Sequence, residues 1–147
     1  MSILTIIILA VSLSLDAFSM SLAYGLMNFS NKKILLVSLL VGIFHFFMPI
    51  LGSIIGEQLL HFIHIDPKYI ITIIFSLIII EMIKSLKGEE LETKLGIKEA
   101  ILFAFAVSLD SFSVGIGLAF LGSNIIFCCI SFTISSFLFT LVGFKLG

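Results

Sequence analysis

The stretch ILLVSLLVGIFHFFMPILGSIIG, residues 34–56, contains no Asp, Glu, Lys or Arg. A helix rises about 1.5 Å per residue, so this stretch is long enough to cross the ~30 Å hydrocarbon layer of a bilayer. Its apolar residues form an unbroken run, whereas a soluble helix shows an apolar stripe beside a polar face. The stretch therefore predicts a membrane-spanning helix, and this sets the fold class of the chain.

Four similar apolar stretches accompany it, and short polar segments separate them. They cover residues 3–26, 69–83 and 100–121, and a last stretch that follows the turn at 122–124 and ends near 144. Charged residues make up 12% of the chain, against about 25% in a typical soluble domain. The sequence therefore predicts an all-α, polytopic membrane helical bundle of five spans, with residues 1–147 forming a single transmembrane domain.

The distribution of Lys predicts the orientation of the chain. With five spans, one face of the membrane collects seven Lys and the opposite face has one. The seven are Lys32, Lys33, Lys84, Lys87, Lys94, Lys98 and Lys145, and the one is Lys68. Lys-rich loops remain on the cytoplasmic side. We therefore expect a multi-pass membrane protein with its N-terminus outside and the loops after the first and third spans in the cytoplasm.

Composition also excludes some partners. The net charge is −1 and the chain has no Arg, so it lacks the basic face that nucleic acid requires. Cys128 and Cys129 are adjacent in an apolar run and are interpreted as packing residues, because two thiols without a nearby His make a poor metal site. No resident cofactor is expected.

A short motif occurs twice. Residues 14–19 are SLDAFS and residues 108–113 are SLDSFS, which match at five of six positions with an offset of 94. A weaker echo relates Gly52 and Gly56 to Gly143 and Gly147, with an offset of 91. The motifs lie in the first and the fourth span, which are three crossings apart, so the copies cross the membrane in opposite directions. This pattern predicts inverted three-helix repeats, with repeat one at about 1–86 and an incomplete repeat two at about 98–147.

Each motif places an acid near the middle of its span, at Asp16 and Asp110. A charged Asp at the bilayer centre costs about 2.5–3.5 kcal/mol on insertion scales, so it requires a polar partner or a wet cavity. Ser19 and Ser113 lie three residues further along, on the same helix faces. Carboxylates with neighbouring hydroxyls suit a hard cation. The alternative is a structural Asp that hydrogen-bonds to a neighbouring helix.

His45 is the other polar side chain deep in a span, four residues before Pro49. Proline has no N–H, so it leaves the carbonyl of His45 without its helical partner. The imidazole or this carbonyl could bind a metal or relay a proton. The plainer reading is a His whose hydrogen bonds are satisfied by its neighbours. The candidate metal ligands are Asp16, Asp110, His45, Ser19 and Ser113.

Together these residues resemble the MntP-type manganese efflux pump family of bacterial inner membranes. The resemblance rests on the two motifs, at 14–19 and 108–115, and on residues 42–52 around His45 and Pro49. It implies Mn²⁺ export through a six-helix fold of two three-helix repeats, with Asp16 and Asp110 on the ion path. A sixth span is absent from this sequence, so the expectation is a shortened form or a chain that recruits the missing surface by forming a homodimer.

The sequence thus favours a secondary transporter that exports a divalent cation through a midplane site built on the two Asp, with Mn²⁺ as the favoured substrate. Its expected partners are the metal ion as substrate and the lipid bilayer. Two alternatives stay open at this point. One is a non-transporting membrane scaffold or assembly factor of the same fold. The other is an intramembrane aspartyl protease, which is disfavoured because the chain has no Gly-x-Gly-Asp motif.

Overall fold

The computed structural model of the protein describes residues 2–27, 29–62, 76, 96–120 and 124–147, and the regular structure in these ranges is helical. The helices are α1 (Ile3–Gly25), α2 (Asn31–Phe62), α3 (Ile97–Val107), α4 (Leu109–Phe120) and α5 (Ile125–Leu146). In these ranges four segments are long and apolar enough to cross a membrane, with α3 and α4 together forming one of them. Four predicted spans are therefore confirmed as helical, and the predicted span at 69–83 lies outside the described residues.

Side chains fix where the first and last helices begin. The Ser2 hydroxyl accepts the Thr5 N–H at 3.2 Å, and the Asn124 side-chain oxygen accepts the Phe127 N–H at 3.4 Å. Both are N-caps, which satisfy backbone donors that have no partner within the helix. Ser2 and Asn124, which precede the first and the last predicted spans, therefore act as helix caps.

Helix α2 differs from its predicted length. It continues through Pro49 and past residue 56 to Phe62, over 32 residues. Proline removes one backbone hydrogen bond but leaves the other bonds of the helix in place. Glu57 and Gln58 are exposed, so the polar residues after 56 mark a change of environment rather than the end of the helix.

The span predicted at 100–121 is divided at Ser108. The Ser108 N–H turns back to the Phe105 carbonyl at 3.1 Å, and its hydroxyl donates to the same carbonyl at 2.9 Å. These bonds end α3, and α4 begins at the next residue. Asp110 consequently lies in the first turn of a new helix rather than in the middle of a continuous one.

Helix α1 packs along α5, α2 packs along α4, and α2 and α5 contact each other. Glycines permit close approaches in both pairs. A Cβ on Gly143 of α5 would lie 2.7 Å from the Phe18 carbonyl oxygen of α1, and one on Gly52 of α2 would overlap the Phe112 carbonyl oxygen of α4. Small residues of this kind let membrane helices pack backbone to backbone.

The same two helix pairs meet again one turn further along. A Cβ on Gly147 would overlap the Leu22 carbonyl of α1, and one on Gly56 would lie 3.0 Å from the Ile116 carbonyl of α4. Both helices of each pair therefore advance together, which means that α1 runs parallel to α5 and α2 runs parallel to α4.

Two groups of buried apolar residues form the interior. The first core cluster consists of Ala17, Ile34, Val37, Val41, Ala100, Phe103, Ala104, Val107 and Phe144. The second core cluster consists of Ile6, Ala10, Leu13, Leu118, Cys128 and Phe132. Each contains residues from α1, from the α3–α4 span and from α5, and the two clusters occupy different depths of the bundle. Cys128 and Cys129 are fully buried free thiols, as expected for packing residues.

Candidate metal site

The two motif acids lie at a similar depth in the bundle. Along α1, Asp16 lies between Leu13 of the second core cluster and Ala17 of the first. Along α3 and α4, Asp110 also lies between the first and the second cluster. The fold therefore places two acids that are 94 positions apart in the sequence at a similar depth.

Asp16 and Ser19 lie on the exposed side of α1. The Ser19 hydroxyl donates to the Leu15 carbonyl of its own helix at 2.8 Å, which leaves its oxygen lone pairs open. A carboxylate at this depth cannot face hydrocarbon without a large cost. In the membrane this side of α1 therefore requires water or a covering element.

Asp110 and Ser113 are half-buried. One carboxylate oxygen of Asp110 accepts the Ser111 N–H at 2.6 Å, so the first turn of α4 satisfies part of this carboxylate. An acid in this position also interacts favourably with the positive end of the helix dipole. The Ser113 hydroxyl lies 3.5 Å from the Leu109 carbonyl, which is at the limit of a hydrogen bond. Its oxygen is therefore available to another partner.

His45 is fully buried, unlike the two acids. Its Nδ1 lies 2.9 Å from the Val41 carbonyl oxygen, and its Nε2 has no hydrogen-bond partner. In the described residues, no three His, Cys, Asp or Glu side chains lie close enough together to hold a metal ion. The five candidate ligands therefore do not form a single compact cage of three or more such groups, and any ion must draw on hydroxyls, carbonyls or water as well.

A buried group of hydroxyls between α1 and α5 was not predicted. The Ser14 oxygen lies 2.6 Å from the Ala10 carbonyl, 2.7 Å from the Ser135 hydroxyl and 3.2 Å from the Ser136 hydroxyl. Ser14 is the first residue of the repeated motif, so its repetition in the sequence was the available signal. Its partners could not be recognised because the two serines of α5 are 121 and 122 positions away.

Comparison with known proteins gives a consistent result. The family described as "Putative manganese efflux pump" matches residues 28–147. Proteins named "Putative manganese efflux pump MntP" from Bacillus pumilus and Desulfitobacterium hafniense are each 34% identical to the chain, covering 99% and 98% of it and 80% and 79% of the relatives. The protein of that name from Methanobrevibacter smithii is also 34% identical, over 99% of this chain and 82% of its own.

No solved structure matches the chain. The family match covers His45, the second motif and three of the four described spans, and the relatives extend the match over the first motif and the first span. The family is one of transporters and not of enzymes, and this argues against an intramembrane protease. The chain is a multi-pass membrane protein, and it belongs to the MntP family.

Proposed function

We propose that this protein is a secondary transporter that exports a divalent cation across the cytoplasmic membrane, and that its main substrate is Mn²⁺. The observation that carries the proposal is the pair of motif acids, Asp16 and Asp110, which lie at a similar depth of the bundle. Two carboxylates neutralise one divalent ion, and oxygen ligands suit Mn²⁺. The names of the family and of the relatives supply the choice of manganese among such ions.

The hydroxyls of Ser19 and Ser113 are the proposed supporting ligands. Each follows its Asp by three residues, and each keeps an oxygen lone pair available while its hydrogen is directed at its own helix. A hydroxyl oxygen that is already oriented in this way can join the coordination of an ion without losing its donor bond. The remaining positions would be filled by water, as is usual for hard divalent ions.

The matched glycine contacts support an inverted repeat. Gly52 and Gly143 are related by the offset of 91, and the residues they pack against, Phe112 and Phe18, are related by the offset of 94. Equivalent residues therefore make equivalent contacts in the α2–α4 and α1–α5 pairs. In a transporter, such symmetry provides two related arrangements that open the same site to opposite sides of the membrane.

The direction of the helices supports the predicted span at 69–83. We propose that the apolar stretch 69–83 is a fifth span, and the parallel direction of α2 and α4 supports this because one further crossing between them accounts for it. With five spans, the Lys distribution favours an external N-terminus. The exposed side of α1 around Asp16 would be shielded from lipid by the 69–83 span or by a second copy of the chain in a homodimer.

A growth assay tests the role of the two acids. The chain is expressed in a bacterial strain that lacks its own manganese exporter and is sensitive to manganese. Asp16→Asn and Asp110→Asn preserve side-chain shape and each removes one charge, so each should abolish the manganese tolerance that the unaltered chain confers. Asp66→Asn is the matched control, because the sequence places Asp66 in a loop between spans, and it should leave tolerance unchanged.

Membrane expression of all three variants is measured alongside growth. Full manganese tolerance in an Asp16→Asn/Asp110→Asn double variant would rule out the two-acid site. Loss of tolerance in the Asp66→Asn control at normal expression would show that the assay does not distinguish acids within the spans from an acid in a loop.

A further inference from the structure

The break between α3 and α4 exposes a backbone carbonyl beside Asp110. In a continuous helix the Ser111 N–H would bond to the Val107 carbonyl. Here that N–H donates to Asp110 Oδ1 at 2.6 Å, and the Ser111 hydroxyl donates to the Ser108 carbonyl, also at 2.6 Å. The Val107 carbonyl is therefore left without its helical donor at mid-span. A broken membrane helix of this kind is a known setting for cation ligands.

His45 has an unused nitrogen lone pair. A carbonyl oxygen can only accept, so the Nδ1 that lies 2.9 Å from the Val41 carbonyl must carry the proton. Nε2 is then a bare acceptor, and it is buried without a hydrogen-bond partner. Leaving such a group unsatisfied costs about 1–3 kcal/mol. A ring held by a backbone carbonyl on one nitrogen and open on the other is also the usual arrangement of a metal-binding His.

The contacts of α2 place His45 opposite the break. One turn before it, Val41 belongs to the first core cluster together with Val107 of α3. One turn after it, Pro49 packs directly against Gly115 of α4. His45 lies between these contacts on the same face of α2, and the end of α3 and the start of α4 lie between them on the facing span.

We propose that His45 and the α3–α4 break form a mixed nitrogen-and-oxygen site for a divalent transition-metal cation. Its ligands are Nε2 of His45, the Asp110 carboxylate and the Val107 carbonyl. The inference rests on the proposed function and specifies the ions that the same path accepts. An imidazole ligand favours transition-metal ions, whereas Mg²⁺ and Ca²⁺ prefer all-oxygen sites. His45 is then the residue that makes the path prefer Mn²⁺, Fe²⁺ and Co²⁺ over Mg²⁺ and Ca²⁺.

Pulsed electron paramagnetic resonance on the purified, Mn²⁺-loaded chain tests the nitrogen ligand directly. The chain has three His, so the measurement uses a His61→Gln/His64→Gln background in which only His45 remains. We expect electron spin echo modulation from a coordinated ¹⁴N, which changes to the ¹⁵N pattern when the protein is grown on ¹⁵N-histidine. Bound Mn²⁺ without nitrogen modulation would overturn the proposal. The labelling step needs no substitution at His45, so it remains decisive if a His45 variant fails to fold.

Transport into lipid vesicles separates this inference from the proposed function. In vesicles that contain the full chain, His45→Gln should weaken the apparent Mn²⁺ affinity by about tenfold or more, and excess Mg²⁺ should then compete more effectively. If the unaltered chain moves Mn²⁺ and His45→Gln preserves both affinity and selectivity, the inference is wrong and the proposed function stands. If nitrogen-coordinated Mn²⁺ is bound but never transported, the site stands and the proposed function is wrong.

Discussion

Gly143→Ala probes the close packing of α5 on α1. The added methyl group would lie 2.7 Å from the Phe18 carbonyl oxygen and 3.1 Å from the Ser21 Cβ, and it would overlap the Ser21 hydroxyl. Ordinary contact begins at 3.4 Å, so the two backbones must separate by about 0.7 Å. Overpacking of this kind costs about 1–3 kcal/mol. The Ser21 hydroxyl can rotate away, but the carbonyl belongs to the helix backbone and cannot.

Gly117→Ala is the matched control, because a Cβ at Gly117 would meet nothing within 4 Å. Alanine is the better helix former by about 1 kcal/mol, so this variant should be as stable as the unaltered chain or more stable. The assay heats green-fluorescent-protein fusions in detergent and measures the folded fraction by fluorescence-detected size-exclusion chromatography. Gly143→Ala should lose the monodisperse peak at a lower temperature. Equal melting temperatures for the two variants would refute the packing described for α1 and α5.

Three further predictions concern symmetry, buried hydroxyls and topology. Gly52→Ala should destabilise the protein at least as much as Gly143→Ala in the same heating assay, because the equivalent backbone contact is tighter; a neutral result would argue against the repeat. Thr140→Val should be neutral or slightly stabilising, since the buried Thr140 hydroxyl has no hydrogen-bond partner, whereas Ser14→Ala should cost about 0.5–1.5 kcal/mol through the loss of its hydrogen bonds. In a background without the two native cysteines, Glu90→Cys should resist impermeant thiol reagents on intact cells, and the reverse would invert the orientation.

The number and placement of the described spans could be predicted because apolar length alone determines what crosses a bilayer. The ends of the helices were less predictable. Glu57 could mark the edge of the apolar run, but helix α2 continues past it because a helix satisfies its backbone hydrogen bonds in either environment. The repeat predicts that Asp16 and Asp110 lie at a similar depth. It does not predict that Asp16 is exposed, because exposure depends on which helices pack beside α1.

The break at Ser108 could not be predicted from a motif that also occurs in the unbroken helix α1. The two copies differ at one position, Ala17 in α1 and Ser111 in α4. Ser111 donates its hydroxyl to the Ser108 carbonyl, while its N–H is diverted to Asp110. Serine side chains that bond back to a helix backbone often bend it. The single difference between the copies therefore coincides with the structural difference, although only the observed hydrogen bonds reveal it.

The most direct test of the central claim is Mn²⁺ flux in vesicles reconstituted with the purified chain. A metal-sensitive dye inside the vesicles reports entry of the ion, and protein-free vesicles give the background. The account predicts flux above background for the unaltered chain and none for the Asp16→Asn/Asp110→Asn double variant, when both are inserted to the same extent. Equal Mn²⁺ flux through the double variant and the unaltered chain would contradict it.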